Sequence, residues 1–344
     1  MASENVNFDR ERPETSGETA GVEDEVEAQV GIRHIFRQLR RDPTALLGFI
    51  MIAFMTFVGL FAFVDAVVLG FLEQFTVFSS MGVEEYWFAK NFWVHPERDP
   101  GRVETLLPPA GLENAYGEGT WKHPLGTDHR GRDLLVRMFY GTRIAIQVGF
   151  LSTVIGLVGG TLVGAVAGYY GGWIDDALMR IVETLYAIPF LILVIAFMAA
   201  FGRNIVFAMI GVGIVSIPTF SRLIRSRVVS VREESYVEAA RAAGVRDRNI
   251  ILRHVIPNSF APVLVQATLQ IGVAILTVAG LSFLGFGAQP PTPSWGQMLS
   301  QSKGVMLTNP WFSIWPGLAI LLTVVGFNVV GDGLRDALDP KLDN

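Results

Sequence analysis

Four side chains in the stretch "HPLGTDHRGRD", His123, Asp128, His129 and Asp133, are of the types that hold metal ions or move protons. Chemistry there would be cation binding or acid-base catalysis, but the spacing argues against it. "DHRGRD" does not match a calcium loop, and its two arginines would repel a cation. The expectation is a Gly-rich turn leading into an amphipathic helix, with Asp133 paired to a nearby arginine. The chain has no cysteine, which removes disulfides, thiolate metal sites and cysteine nucleophiles together. It also lacks the GxxxxGK(S/T) phosphate loop, so it is not expected to bind ATP itself, and no cofactor or metal is expected on it.

A second stretch, "EAARAAGVRDRNIILRHVIPN" over residues 238–258, points to recognition instead of catalysis. Glu233 to Ala243 are good helix formers, and Gly244 is placed to end that helix with a left-handed backbone. Asp247 can cap a second short helix carrying Ile250, Ile251, Leu252 and Val255, which Pro257 is expected to break. Ala239, Ala240, Ala242 and Ala243 give the first helix a thin surface that can enter a groove on another protein. A helix resting on anionic lipid would instead favour large apolar anchors and an unbroken basic face.

The elements that must position these stretches are apolar. At 344 residues, 51% hydrophobic and a mean hydropathy of +0.41, the chain reads as a membrane protein. Six uncharged runs approach or exceed the roughly 20 helical residues that cross a bilayer. They are Thr44 to Val64, a run inside Ile144 to Ile174, Thr184 to Gly202, Asn204 to Ser221, about Phe260 to Phe286 and about Trp311 to Val330. Unpaired backbone is costly in lipid, so each is expected to be a helix and the fold an all-α integral membrane bundle. The mostly polar stretch ahead of the first run makes that run a retained anchor and not a cleaved leader.

Charge orders the rest. Residues 1–29 carry nine acids against Arg10 and Arg12, a disorder-prone composition, although the whole chain is only −5. Arg33, Arg37, Arg40 and Arg41 precede the first run, and eight more arginines lie between Arg222 and Arg253. Six spans put both groups on one side, so both read as cytoplasmic, as do the two termini. The pattern Ile32, Ile35, Phe36, Leu39 suggests an interfacial helix ended by Asp42 and Pro43. Asp65 is expected at a helix end at the outer interface. Gly156, Gly160, Gly164, Gly168 and Gly172 recur every four residues, the mark of a helix face that another backbone approaches closely. The resulting divisions are a tail (1–31), an interfacial helix with the first span (32–72), an outer loop with a pre-span segment (73–143), a five-span core (144–334) containing the loop 222–258, and a C-terminal end (335–344).

"EAARAAG" followed by "IPN" resembles the EAA loop of ABC importer permeases. The motif positions are Glu238, Ala239, Ala240, Gly244, Ile256 and Pro257. "HPLGTDHRGRDLLVRMFYGTRIAIQVG", with Gly126, Asp128, Gly131, Arg132 and Asp133, resembles the segment before the second span in C-type permease subunits of dipeptide, oligopeptide and nickel importers. "GYYGGWIDDALMRIVETLYAIP" and "GLSFLGFGAQPPTPSWGQML" are similar to that subfamily too, so the resemblance covers about residue 36 onward. His129 and Arg130 depart from the subfamily's usual acidic or small residues, Arg246 from a small capping residue, and the stretch 73–121 is longer than usual.

The resemblance implies a six-span permease whose coupling helix sits in a cleft of an ATPase subunit. The implied partners are a homologous B-type permease, two ATPase subunits that hold ATP and Mg, an extracytoplasmic solute-binding protein and the bilayer, with no nucleic acid. Peptides are the expected cargo, with nickel or small glycans as alternatives. An ion-coupled secondary transporter or an intramembrane enzyme would carry ionisable groups at mid-membrane depth, and the six runs as drawn have none. A membrane receptor or scaffold would not require the EAA spacing.

Overall fold

The computed structural model describes residues 42–92, 94 and 104–338. The acidic tail, the interfacial helix expected over 32–41 and the end 339–344 lie outside the described residues.

Asp42 caps α1 (Pro43–Glu73): its carboxylate accepts the Thr44 amide at 2.8 Å, and Pro43 presets the first turn. The uncharged run ends at Val64, yet the helix continues through a wide π turn at Val64–Val68. Asp65 is therefore not at a helix end. It is buried in that turn, where its carboxylate accepts the Tyr140 hydroxyl and the Phe88 amide, the latter at 2.8 Å. These partners, which come from far along the chain, stabilise a carboxylate that the sequence leaves beside apolar residues.

Two short helices follow, α2 (Thr76–Ser80) and α3 (Trp87–Phe92). A two-residue hairpin, β1 (Glu113–Asn114) and β2 (Gly117–Glu118), precedes the longest helix, α4 (Leu134–Tyr170). At 1.5 Å per residue its 37 residues span about 55 Å, well beyond roughly 30 Å of hydrocarbon. It therefore projects from the bilayer at one end or both.

The third apolar run is not one straight helix. α5 (Gly172–Ala187) and α6 (Phe190–Phe201) meet at a 91° bend inside it. Pro189 holds Ile188 in extended backbone at φ −82° and ψ 130°, which stops α5. Pro189 carries no charge, so the run is unbroken in apolar character although its backbone is not. With 12 residues, α6 reaches only about 18 Å and cannot cross alone.

α7 (Ile205–Val231), α8 (Ser235–Ala242) and α9 (Asp247–Ile250) come next. From α9 the helical path continues through a π turn at Ile251–Val255 and a last turn at Ile256–Ser259 into α10 (Ala261–Phe283). Pro257 does not break this path as expected. The amide of Ile256 bonds to the Ile251 carbonyl, five residues back, and this wide turn makes room before the proline ring. α11 (Trp295–Ser302) and α12 (Trp311–Leu338) complete the fold. Among the described residues α1, α4, α7, α10 and α12 are each long and apolar enough to cross a membrane, five in all, or six if the bent α5–α6 pair counts as one broken span.

α4 and α7 share the most extensive interface. Gly156, Gly160, Gly164 and Gly168 line it: a Cβ on Gly160 would lie 2.4 Å from Phe220 Cβ, and one on Gly164 would lie 2.3 Å from the Ser221 carbonyl oxygen. Such contact between backbones maximises dispersion where lipid provides no hydrophobic drive. Gly172 does not extend the row, since α4 has ended and a Cβ there would meet nothing within 4 Å.

Candidate functional site

The chemistry-bearing residues gather at the two opposite ends of α4. At its C-terminal end, α8 and α9 are seated on a core of Tyr169, Ile224, Val228, Val237, Ile250 and Val255. Val237 and Ile250 are buried, while residues 241–249 are all exposed. Amphipathic spacing therefore anchors the segment from beneath and leaves Ala239, Ala242 and Ala243 uncovered, whereas Ala240, expected on the same thin surface, is half-buried against the core.

The turn between α8 and α9 is a Schellman closure. The Gly244 amide bonds to the Arg241 carbonyl at 3.0 Å and the Val245 amide to the Ala240 carbonyl at 3.1 Å. Gly244 takes φ +75°, the left-handed backbone that glycine adopts without strain. A Cβ there would meet nothing within 4 Å, so its direction is open.

Asp247 does not cap α9. Arg246 occupies the capping position with no side-chain hydrogen bond, and Asp247 is the first helical residue. Its carboxylate accepts the Tyr169 hydroxyl at 2.8 Å, and the Arg241 guanidinium lies 5.5 Å from the centre of the same tyrosine ring. Hydrogen bonding to that hydroxyl holds the Arg241 guanidinium above its ordinary pKa, so it stays charged at any working pH. Arg232 donates to the Gly168 carbonyl at 2.9 Å, a second link to the last turn of α4. Glu238, Arg241, Asp247 and Arg232 line an open cleft beside these links. Ile256 packs against the core beneath and Pro257 is exposed, so the six motif residues do not share one pocket.

At the opposite end, Asp128 accepts the Arg130 and Arg132 amides at 2.8 and 3.0 Å and the Arg132 Nε at 2.7 Å. Arg137 Nε lies 3.6 Å from the same carboxylate, and the Asp128, Arg132 and Arg137 side chains are all buried. These arginines thus pair with Asp128 and not with Asp133 as expected. Asp133 instead caps α4, accepting the Val136 amide at 2.9 Å, and its other oxygen lies 2.7 Å from His123 Nδ1. Gly131 at φ +77° forms the turn between them, and Gly126 at φ +88° has no room for a Cβ, which would meet the Leu107 carbonyl oxygen at 2.3 Å.

The four side chains first considered for metal binding or proton transfer are committed elsewhere. His123 spans Asp133 and Glu104, and its hydrogen bond to Asp133 raises its pKa against the opposing effect of burial. His129 stacks on Phe312, and burial pulls its pKa down. From α11, Gln297 accepts from Arg137 at 3.2 Å, and Trp295 donates to the Met138 carbonyl at 2.9 Å. This polar clasp binds the segment 104–138 to the segment 288–302.

Sequence reasoning missed Tyr169, Arg137 and Gln297. Tyr169 stood in view in "GYYGG", at the end of the glycine-spaced face. Its partner is 78 residues away, beyond the reach of any local pattern.

The chain is thus a membrane bundle with an exposed helical pair at one end and a polar clasp at the other, and its relatives give that bundle its class, a transport permease. The model of the family described as binding-protein-dependent transport system inner membrane component matches residues 160–344, and the chain belongs to that family. It is 49% identical over 221 residues to the dipeptide transport system permease protein DppC of Alkalihalophilus pseudofirmus, a match that covers 64% of this chain and 73% of the relative. It is 46% identical over 220 residues to the glutathione transport system permease protein GsiD of Pectobacterium atrosepticum, with the same coverage of 64% and 73%. A solved structure of the MetNI methionine ABC transporter in an inward facing conformation matches at 22% identity and TM-score 0.49, covering 60% of this chain and 98% of that one.

Proposed function

We propose that this permease imports di- and oligopeptides, with α8 and the turn at Gly244 docking into a cleft of a separate ATPase subunit. The relatives named for dipeptide and glutathione transport support a peptide cargo. The observation that carries the docking is the exposed stretch 241–249 held on a buried core. Small residues at Ala242, Ala243 and Gly244, exposed between charged side chains and held on a buried core, suit close approach by another protein. On this reading ATP and Mg are held by the ATPase subunits, and this chain does no covalent chemistry. A homologous permease completes the translocation path, and a solute-binding protein delivers cargo to the clasp end. The docking end and both termini are cytoplasmic on the same reading, which the arginines around the docking segment support.

ATP-driven closure of two ATPase subunits would then move the docked segment between two positions and bias the bundle between two packings. Gly244→Asp tests the docking directly. Aspartate tolerates left-handed backbone, and its side chain would enter open space in this chain. The variant is expected to reach the membrane with ordinary yield and to lose the copurifying ATPase and peptide uptake. Glu238→Lys, which reverses a charge in the cleft, is expected to weaken copurification as well. Full substrate-stimulated ATPase activity in Gly244→Asp would refute the assignment.

A further inference from the structure

Three transmembrane helices meet the docking segment, and they are not equally suited to carry its movement. α7 joins it through the turn at 232–234 and contains Pro218. α10 joins it through the π turn at Ile251–Val255 and Pro257. α4 has no direct covalent connection to the segment, runs for 37 residues without proline, and reaches the clasp at its far end. Irregular turns and prolines are where helices bend; α4 has neither, and its Gly159–Gly160 pair is packed tightly on Ile217 and Phe220, so a displacement is best preserved along α4.

α4 also grips the segment. Tyr169 lies one residue before the end of that helix and is only 6% exposed. Its hydroxyl bonds to Asp247 on α9 at 2.8 Å, and its ring faces Arg241 on α8. One side chain thus holds both arms of the Gly244 turn, while Arg232 fixes the Gly168 carbonyl just before it. At the other end, Arg137, Met138 and Tyr140 in the first two turns of α4 bond to Gln297, Trp295 and Asp65 respectively.

The geometry points to Tyr169 as a positioning residue that locks the docking segment to α4, so that α4 carries the movement of the segment to the clasp. This rests on the docking reading above and adds the route by which the stroke enters the bundle.

The test uses the complete transporter, this chain with its partner subunits, reconstituted in liposomes. Tyr169→Phe keeps the ring and removes the hydroxyl, and Asp247→Asn weakens the same bond from the other side. Tyr169 borders the cleft but is only 6% exposed, and phenylalanine keeps its ring, so the copurifying ATPase is expected to stay at the wild-type amount in Tyr169→Phe. Peptide uptake per ATP hydrolysed is expected to fall roughly tenfold, the scale of losing a hydrogen bond to a charged group. Combining both substitutions is expected to cost no more than either alone.

Unchanged uptake per ATP in Tyr169→Phe would overturn the inference while leaving the docking reading intact. So would a parallel fall in membrane yield, copurification and uptake, which would mark the tyrosine as merely structural. A wild-type chain that retains no ATPase would sink the docking reading first, and this inference with it.

Discussion

A histidine with a carboxylate on each ring nitrogen is stabilised in its charged form. His123 Nδ1 lies 2.7 Å from Asp133 and Nε2 lies 3.2 Å from Glu104, whose own pKa is lowered, first by Lys122 and then by His123. Because the folded pKa of His123 is raised above its ordinary 6.5, its contribution to stability is complete below that pH and is lost as pH rises through the folded value. The expected result for His123→Gln is a thermal midpoint well below that of the wild type at pH below 6.5, with the gap narrowing as the pH rises through the raised folded value. His129 acts in the opposite sense: its folded pKa is lowered by burial, so it weakens the fold as pH falls below 6.5. His129→Asn should therefore look relatively better in acid. A gap for His123→Gln that is the same at both pH values would refute this assignment of charge. Both histidines could be picked out in the sequence as titratable, but their opposite shifts could not. The first depends on the fold setting Asp133, and then Glu104, against the His123 ring, and the second on burial of His129 beside Phe312. The left-handed Gly244 was legible because helix endings are local, whereas the Asp247 bond to Tyr169 is not.

Between elements, the glycine spacing on α4 could be read as a packing face, but nothing local named α7 as the partner. That face sets a sharp contrast between two kinds of glycine. Gly160 lies where a Cβ would come 2.4 Å from Phe220 Cβ, and its other nearest neighbours are backbone atoms of Ile217 and Ser221 at 2.9 Å. Neither helix can yield there without separating from the other. On α10, a Cβ added at Gly280 would meet nothing within 4 Å, so alanine there mainly gains helix propensity. Gly160→Val is expected to lower stability by about 3 kcal/mol, whereas Gly280→Ala should be neutral or raise it by about 0.5 kcal/mol. Thermal unfolding of the two variants in the same detergent decides it, and equal effects would sink the packing argument. The α5–α6 bend and the extension of α1 were missed for a related reason. A run of uncharged residues reports solubility in lipid, but proline at 189 and the acceptor at 65 control where the backbone turns.

Taken as a whole, the molecule places the proposed docking segment at the C-terminal end of α4 and the polar clasp at its N-terminal end, about 55 Å apart. The stability of the two ends should then be independent even though transport requires both. Arg137→Ala removes a buried guanidinium that bonds to Gln297 and the Pro291 carbonyl and faces Asp128, so the loss is expected to be about 3 kcal/mol. Gly244→Asp should cost less, about 1 kcal/mol of left-handed backbone strain, because aspartate tolerates that backbone better than most residues and its side chain meets open space. Sites this far apart with no shared partner add within about 0.5 kcal/mol. The double variant is therefore expected to unfold at the midpoint given by summing the two single shifts. ATPase copurification should behave differently, falling in Gly244→Asp and surviving in Arg137→Ala at temperatures where that variant remains folded. Peptide uptake should fall in both if, as proposed, the stroke is received at one end and delivered at the other. A double variant markedly less stable than the sum would mean that the two ends share more than α4. An Arg137→Ala protein that loses the ATPase while still folded would mean that the clasp also shapes the docking surface.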